Sequence, residues 1–239
     1  MRQEQIQNRL RVCGIECDAL LAERLEAYMA LLAGWNARMD LTAVTEEDET
    51  LDRHFVDSLM ALTVPGMIPA KGTAVDVGTG AGFPGLPLAM ALPDVSFTLL
   101  DSLQKRVDFL GAVGEKTGLT NVTLIHARAE DAARRLELRE RFDRAVARAV
   151  APLPALCEYL LPFVRVGGEA LCWKGPGLQE ELAQGRRAAH LLGGSAGEAV
   201  QVQIPDRDWQ HRILPVRKVQ ATPKQYPRRA GMAAKTPLG

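Results

Sequence analysis

The chain has 239 residues, of which 47% are hydrophobic and 5% aromatic, with 29 Lys and Arg against 29 Asp and Glu. This composition is typical of a globular protein of one or two domains, and zero net charge excludes a protein that coats nucleic acid through its overall charge. The N-terminus is polar, and no stretch approaches the roughly 18 apolar residues of a membrane span. We therefore expect a cytoplasmic protein.

The four cysteines favour neither a disulfide framework nor a metal site. Three residues lie between Cys13 and Cys17, and no second Cys or His pair nearby completes a zinc site. Cys157 falls in a predicted helix and Cys172 in a predicted strand, where packed thiols are more common than nucleophiles. We predict no metal.

Residues 1–70 are predicted to be a helical segment packed on the core. Apolar residues recur at helical spacing from Leu20 to Trp35, and Asp18 is suited to cap that helix. A second helix is predicted to begin at Thr45 and to end before Pro65-Gly66.

From residue 72, short apolar runs alternate with helical stretches, which predicts an α/β fold with a mostly parallel sheet in a domain spanning 71–221. The predicted strands are Thr73–Val77, Ser96–Asp101, Val122–His126, Arg144–Val150 and Glu169–Lys174. The predicted helices are 84–92, 103–117, 129–138, 153–165 and 177–193. Two further runs, Val200–Ile204 and Arg212–Val219, predict an antiparallel pair at the sheet edge, and residues 222–239 are expected to form a mobile basic tail.

The loop after the first strand carries Gly78, Gly80 and Gly82, and it is followed by a predicted helix. Alternate glycines let the backbone turn sharply and approach a ligand closely, at the position where doubly wound sheets bind nucleosides. The alternative is a tight strand-to-helix turn without a ligand. The sequence therefore predicts a nucleotide-sized pocket at this loop.

Two cofactors compete for this pocket. The residues Gly80-Ala-Gly82-Phe-Pro-Gly85 fit the dinucleotide pattern of a nicotinamide-dependent oxidoreductase. Asp76 extends the loop to Asp-x-Gly-x-Gly-x-Gly, the pattern of S-adenosylmethionine-dependent methyltransferases, in which a carboxylate can lie near the ammonium group of the methionine moiety. Pro84 removes one N–H donor from the helix start that a pyrophosphate would use, and we therefore favour S-adenosylmethionine.

Three later positions extend the predicted cofactor site. Asp101 ends the second strand, where an acid can bind both ribose hydroxyls or instead cap the next helix. Ala129 and Glu130 follow the third strand, beside the expected adenine edge or at the start of a surface helix. Arg148 lies in an apolar strand, where a charge needs either a partner or a functional cleft, and we favour the cleft.

From about Trp35 to Lys218, the sequence resembles the bacterial small-subunit ribosomal RNA guanine-N7 methyltransferases, known as RsmG and formerly as glucose-inhibited division protein B. The resemblance lies in Trp35–Val44, in His54-Phe-Val-Asp-Ser-Leu, in the glycine loop with its strand and helix, and in Leu100-Asp-Ser-x-x-Lys-Arg-Val-x-Phe-Leu. It implies a class I methyltransferase (Rossmann-like) sheet behind a helical N-terminal part. It also implies methylation of guanine 527 of 16S ribosomal RNA, in the decoding-site loop.

The resemblance also implies site residues. By matching motif, the cofactor positions are those of the glycine loop and of the next strand ends: Gly78, Gly80, Phe83, Asp101, Ala129, Glu130 and Arg148. The family supplies no catalytic base, and guanine N7 needs none because it carries a lone pair and no proton. The chain lacks the Asn/Asp-Pro-Pro-Tyr/Phe motif of adenine amine methylation, having Ala147-Arg-Ala-Val-Ala-Pro there.

The substrate side is predicted less sharply. Asn36, His54 and Lys174 are the candidate catalytic groups; Asp57 and Ser58 are further candidates. Each has a structural alternative: Asn36 as a turn cap, a pair between His54 and Asp57, and a solvated Lys174.

The predicted partner is 16S ribosomal RNA or the small ribosomal subunit, bound by a monomer. The net charge is −6 over residues 1–70, −1 over 71–208 and +7 over 209–239, so the overall zero hides a basic C-terminal stretch. Arg53, Lys174, Arg228 and Arg229 are the predicted RNA contacts. A non-catalytic ribosome-assembly factor stays open as an alternative.

Overall fold

A computed structural model describes residues 2–239 of the chain. Its ten α-helical elements are α1 Arg2–Val12, α2 Ala19–Met39, α3 Glu47–Thr50, α4 Asp57–Leu59, α5 Gly85–Ala91, α6 Gln104–Thr117, α7 Ala129–Ala132, α8 Leu153–Leu160, α9 Leu178–Leu191 and α10 Met232–Lys235. None of the helices in residues 2–239 has the length and apolar content needed to cross a bilayer.

Eight strands form a single sheet in the order β3-β2-β1-β4-β5-β8-β6, with β7 also paired to β8. The strands are β1 Gly72–Val77, β2 Val95–Asp101, β3 Val122–His126, β4 Phe142–Arg148, β5 Val164–Lys174, β6 Gly194–Ala196, β7 Val200–Val202 and β8 His211–Lys218. Strands β1 to β5 pair in parallel, whereas β8 pairs antiparallel with β5, β6 and β7. The predicted mixed sheet is therefore confirmed, with β6 as an addition.

Helices cover both faces of the sheet. Because alternate strand residues point to opposite faces, Phe97 and Leu99 of β2 pack with α1, α2, α5 and α6, whereas Leu100 packs with α8 and α9. Strand β4 divides in the same way, since Val146 belongs to the first cluster and Ala145 to the second. The N-terminal helices thus share one continuous apolar core with the glycine-loop side of the sheet.

Helix α2 begins as predicted, because the Asp18 carboxylate accepts a hydrogen bond from the Leu21 amide at 2.7 Å. The next predicted helix is not continuous. A π-helical turn, Leu51–Val56, joins α3 to α4, and a 3₁₀ turn, Met60–Thr63, follows α4. Such turns are frequent at functional sites, and this one carries Arg53 and His54.

Two predicted helices are shorter in the structure. Helix α8 ends at Leu160, two residues before Pro162, because proline restricts the residue that precedes it. Helix α7 covers only Ala129–Ala132 of the predicted 129–138, and turns fill the remaining residues.

Residues 222–239, which we call the C-terminal strap, do not extend away from the body as a mobile tail would. Thr222 and Ala233 are buried, and α10 packs against α8. The prediction of a free tail is therefore corrected, because the strap folds back over the face of the sheet that α8 covers.

Candidate functional site

The glycine loop, Gly78–Pro84, joins β1 to α5 and is held by backbone bonds from the neighbouring strand. The amides of Gly78 and Thr79 donate to the Leu100 carbonyl at 2.8 and 3.1 Å. These bonds fix the start of the loop beside the end of β2. The backbone conformation at the start of the loop is therefore set by its hydrogen bonds to the sheet.

Asp76 holds the loop from inside through one of its carboxylate oxygens. Its side chain is buried, and Oδ2 accepts from the Thr79 hydroxyl at 2.7 Å and from the Gly85 amide at 2.8 Å. Burial raises the pKa of Asp76 to about 7, although the bonds from Thr79 and Gly85 oppose that rise. Oδ2 thus caps the N-terminus of α5, whereas Oδ1 is buried without a hydrogen-bond partner. The contact of this carboxylate with a methionine ammonium group stays a prediction.

Two loop glycines are required for different reasons. Gly80 has a φ of +62°, and a Cβ there would meet no atom within 4 Å, so its open side is free for a ligand. Gly82 has a φ of +102°, and a Cβ there would collide with the Tyr28 hydroxyl and with Leu86. Gly80 therefore leaves open space beside the loop, and Gly82 lets Tyr28 of α2 approach the loop closely.

An aromatic stack joins α2, the loop and the π-helical turn. Phe83 lies between Tyr28, at 5.3 Å between ring centroids, and His54, at 4.8 Å. The Tyr28 hydroxyl donates to the Ala81 carbonyl. Phe83 is buried with rings on both faces, so its side chain fixes the loop rather than presenting a face to a ligand.

Asp101 sits at the end of β2 and faces the glycine loop. Its Oδ2 accepts from the Gly80 amide at 2.9 Å and from the Arg106 guanidinium at 3.4 Å, and its Oδ1 accepts from the Leu103 amide at 2.9 Å. An ionised carboxylate has about four lone-pair positions, so it can accept further hydrogen bonds. Asp101 therefore caps the following turn, as the structural alternative proposed, and keeps capacity for a ligand hydroxyl.

A cavity of about 300 Å³ opens beside the loop, and we call it the glycine-loop cavity. It is lined from β1, from the ends of β2 and β3, and from the start of α7, with Gly78, Leu100, Ser102, Ala129, Glu130 and Val150 among its walls. Its apolar walls and polar rim are typical of small-ligand sites. The structure thus brings Gly78, Ala129 and Glu130 together.

A second cavity, of about 470 Å³, opens at the ends of β4 and β5, and we call it the Arg148 cavity. Ala149 lines this cavity and Val150 lines the glycine-loop cavity, so consecutive residues separate the two. Ala149 has a φ of +56°, a left-handed conformation that is uncommon for a residue with a side chain. Such backbone outliers concentrate at functional sites.

Arg148 pairs with a carboxylate and also lines a cavity, so both interpretations of this charged residue apply. Its guanidinium bonds the buried Asp57 carboxylate at 2.8 Å and donates to the Arg53 carbonyl at 2.8 Å. Asp57 Oδ1 also lies 2.7 Å from Nδ1 of His211. Burial alone would raise the pKa of Asp57, but its bonds to His211 and Arg148 outweigh burial and lower the pKa.

Both ring nitrogens of His54 are engaged by other groups of the protein. Arg148 can only donate, so Nδ1 of His54 is the acceptor at 3.3 Å, and Nε2–H faces the Thr42 hydroxyl at 2.6 Å. Burial, reinforced by Arg148, lowers the pKa of His54 to about 4. The ring is therefore neutral at pH 7 and has no free nitrogen to accept a proton from substrate.

Asn36 clamps the loop that follows α2. Its amide nitrogen donates to the Thr42 carbonyl at 2.9 Å, and its oxygen accepts from the Thr42 amide at 2.8 Å. This geometry matches the structural alternative of a turn cap. Thr42 thereby also presents its hydroxyl to His54.

Lys174 faces the Arg148 cavity and forms an ion pair there. Its Nζ lies 2.6 Å from Oε1 of Glu181 and donates to the Ala151 carbonyl at 3.3 Å. Its side chain is 10% exposed, so Lys174 is not the solvated lysine of the alternative interpretation. The pair places a donor and an acceptor side by side in the cavity wall.

Arg53 lies at the rim of the Arg148 cavity. Its guanidinium carbon is 4.2 Å from the ring centre of Trp209, and Arg207 is 5.2 Å from the same ring. Arg53 is half-buried and also pairs with Glu49, since its Nε lies 2.5 Å from Oε1 of that residue. Its contact with RNA stays a prediction.

The C-terminal cations divide into those paired with a carboxylate and those exposed to solvent. Arg228 binds the buried Glu158 through Nη2 at 2.6 Å, and Lys218 is fully buried beside Glu140 at 3.0 Å. The prediction of Arg228 as an RNA contact is corrected, because its guanidinium is already engaged by a carboxylate. Arg229 is exposed. The +7 charge of this stretch is thus only partly available at the surface.

The unpredicted residues include Trp173, Glu181 and His211, which line the Arg148 cavity, and Tyr28, which binds the glycine loop. His211 and Trp173 reach Asp57 from distant strands, and no sequence spacing announces such contacts. Glu181, three residues into α9, had a weak signal as an acid in the first turn after Lys174. In residues 2–239 no group of three or more His, Cys, Asp or Glu side chains is arranged to hold a metal ion.

Comparison with solved structures identifies the fold. The crystal structure of M. jannaschii TYW2 in complex with AdoMet is similar to this chain, with a TM-score of 0.55 and 16% identity over 74% of this chain and 78% of that one. P. horikoshii TYW2 in complex with MeSAdo has a TM-score of 0.52 and 14% identity over 67% of this chain and 60% of that one. These likenesses establish the class I methyltransferase fold and nothing finer.

Sequence relatives are much closer. The chain is 44% identical to a ribosomal RNA small subunit methyltransferase G of Alkaliphilus metalliredigens, over 94% of each chain. It is 45% identical to the protein of that name from Clostridium perfringens, over 94% of each chain. The GidB family model, described as rRNA small subunit methyltransferase G, matches residues 21–209. With the glycine loop, Asp101 and Arg148 inside the matched region, the chain belongs to the family of ribosomal RNA small subunit methyltransferase G.

Proposed function

We propose that this protein transfers the methyl group of S-adenosylmethionine to N7 of a guanine in 16S ribosomal RNA. The observation that carries the proposal is the adjacency of the two cavities, which Ala149 and Val150 separate. A cofactor in the glycine-loop cavity and a base in the Arg148 cavity would meet at this boundary. Family membership supports the substrate class, and the resemblance points to guanine 527.

The glycine-loop cavity fits an adenosyl group. Leu100, Ala129 and Val150 supply apolar walls, and Asp101 retains acceptor capacity for ribose hydroxyls. Gly78, Gly80 and Glu130 complete the predicted contacts, while Phe83 and Arg148 act by holding the loop and its surroundings. S-adenosylmethionine, when bound, supplies an electrophilic methyl group on a positively charged sulfur.

The same loop disfavours a dinucleotide. A pyrophosphate would need the free N–H groups at the start of α5, but Gly85 already donates to the Asp76 carboxylate at 2.8 Å. A second negative group at this point would face a buried acid. This contact, rather than Pro84 alone, favours S-adenosylmethionine over a nicotinamide cofactor.

The Arg148 cavity suits a guanine whose N7 attacks directly. Because N7 carries an in-plane lone pair and no proton, orientation and proximity can replace a general base. Lys174 can donate to guanine O6, and Glu181 can accept from the N1–H and amino donors. The engagement of both His54 nitrogens agrees with a reaction that needs no proton acceptor.

Cofactor binding is tested by calorimetry with S-adenosylmethionine and with NAD. We expect heat only with S-adenosylmethionine, and about tenfold weaker affinity for Asp101→Asn, which loses one charged acceptor. Lys71→Ala, an exposed change before β1, is the matched control with unchanged affinity. Binding of NAD alone would overturn the cofactor proposal.

Transfer is tested with tritiated S-adenosylmethionine and small subunits, or naked 16S RNA, from a strain lacking this gene. We expect label in one nucleoside that co-elutes with 7-methylguanosine after digestion and has its mass. Label in another nucleoside would overturn the N7 assignment. Cofactor binding without any label would favour the assembly-factor alternative.

A further inference from the structure

The C-terminal strap, residues 222–239, is fixed by side chains from the segment that follows α7. Arg139 donates to the carbonyls of Thr222 and Tyr226, both at 2.9 Å, and Arg134 donates to the Pro227 carbonyl. Two arginines thus bind the main chain of the strap. Their contacts are independent of the side chains that the strap carries.

A buried ion pair anchors the middle of the strap to α8. Glu158 accepts from the Arg228 amide at 2.7 Å and from its guanidinium through Nε and Nη2, at 3.0 and 2.6 Å. The side chain of Glu158 is 1% exposed. Removing the cation would leave a buried carboxylate, so the strap and α8 are held firmly together.

Beyond this anchor the strap reaches the glycine-loop cavity. Gly231 and Ala234 line the cavity together with Tyr159, the neighbour of Glu158 on α8. The Gly231 amide donates to Oε1 of Glu130 at 2.8 Å, and Ala233 is buried beneath. Glu130 and Ala129, the predicted adenine-edge residues, therefore share their cavity with the strap.

We infer that the C-terminal strap is part of the cofactor-binding site, in which Gly231 and Ala234 form the wall against the adenine side of an adenosyl ligand and Arg228 positions that wall. The inference rests on the proposed cofactor. The match to the family model ends at residue 209, so this wall comes from a segment outside the matched region. Two contacts hold this wall, Arg228 with Glu158 and Gly231 with Glu130, and Ala234 lines the cavity beside them.

The wall is tested by enlarging Ala234, which is exposed at the cavity and needs no core rearrangement. We expect Ala234→Trp to weaken the calorimetric affinity for S-adenosylmethionine and for S-adenosylhomocysteine by about tenfold, because bulk in a fitted pocket displaces ligand. Lys235→Trp, the same change one exposed position later, is the matched control. We expect it to keep the parent affinity.

The anchor is tested by removing both charges, since Arg228→Ala alone would strand Glu158 and could unfold the chain. We expect the double variant Arg228→Ala, Glu158→Gln to raise KM for S-adenosylmethionine about tenfold while kcat and KM for RNA stay at parent values. Lys224→Ala, an exposed cation of the strap, should keep the parent KM for S-adenosylmethionine.

The outcomes separate this inference from the proposed function. If the parent chain binds S-adenosylmethionine and both the Ala234→Trp and the double variant bind it equally well, the wall is overturned and the function stands. A loss confined to RNA affinity and its salt dependence would also overturn the wall, in favour of an RNA contact. If the parent chain binds no S-adenosylmethionine, both the cofactor and the wall are overturned.

Discussion

The two cavities are built in different ways. The glycine-loop cavity is made mainly by backbone and by residues at consecutive strand ends, such as Gly78, Leu100 and Ala129. The Arg148 cavity is made by charged and aromatic side chains that meet from distant segments, including Asp57, Lys174 and His211. The strand-end part of the first cavity is therefore marked by local motifs, although its wall at Gly231 and Ala234 comes from the distant C-terminal strap. The second cavity exists only after the whole chain has folded.

The largest expected effect comes from removing the carboxylate of Asp57, which binds both Arg148 and His211 in the Arg148 cavity. Asp57→Ala leaves the Arg148 guanidinium without its carboxylate, and we expect the free energy of unfolding to fall by about 3–5 kcal/mol in urea denaturation. Glu49→Ala removes an exposed partner of Arg53 and should cost less than about 1 kcal/mol. Equal losses in the free energy of unfolding for the two variants would show that the burial of Asp57 is unimportant.

In the glycine-loop cavity, the two loop glycines should respond unequally. Gly82→Ala adds a Cβ that collides with Tyr28 at a positive φ, and we expect unfolding to become easier by about 3 kcal/mol. Gly80→Ala meets open space and should cost about 1 kcal/mol from backbone strain alone. Thermal or urea unfolding checks both, and the reverse order would contradict the assigned role of Tyr28.

Lowering the pH should destabilise the folded protein through His54, which lines the Arg148 cavity. Its pKa falls to about 4 from a usual value near 6.5, so stability present above pH 6.5 is lost as the pH falls toward 4. For this group, which faces Arg148, Asp57 and Arg53, we expect a loss of roughly 2 kcal/mol between pH 7 and 5.

The measurement compares urea unfolding of the parent and His54→Gln across that range. Asp76 acts in the opposite direction, because its pKa is raised to about 7 and protonation relieves its burial as the pH falls. The difference between the two proteins isolates His54, since Asp76 is common to both. Parallel pH profiles would contradict a neutral buried imidazole.

The smallest effect is expected at the exposed end of the strap. Arg229→Ala should weaken RNA binding about twofold and reduce the salt slope by about 0.7–0.9, the share of one phosphate contact. Lys71→Ala is an exposed change just before β1, at the end of that strand opposite the glycine loop, and should change neither quantity. An unchanged salt slope for Arg229→Ala would remove the strap from the RNA surface.

The family, the mixed sheet and most strand bounds could be predicted from sequence because they depend on local signals. Alternating apolar runs define β1 to β5, and the glycine loop directly follows one of them. The π-helical turn could not be predicted, since the Arg53 carbonyl is bound by Arg148, a residue 95 positions later. For the same reason, the partner of Arg148 became visible only in the fold.

The prediction of a mobile tail over residues 222–239 is wrong for a related reason. Its cations suggested a solvated or RNA-facing tail, because sequence shows the charge and not its partner. Arg228 and Lys218 are instead neutralised by Glu158 and Glu140, acids that lie in unrelated segments. Charge counts identify a basic stretch, but burial decides how much of it a ligand can reach.

Helix α2 sets a distance between two parts of the molecule. Tyr28 binds the glycine loop at Ala81, and Asn36 binds the loop at Thr42, so the two contacts are eight positions apart along the helix. At 1.5 Å per residue this is a spacing of about 12 Å, and one inserted residue would turn the second contact by about 100°. Relatives should therefore tolerate length changes before α2 but none between these two positions.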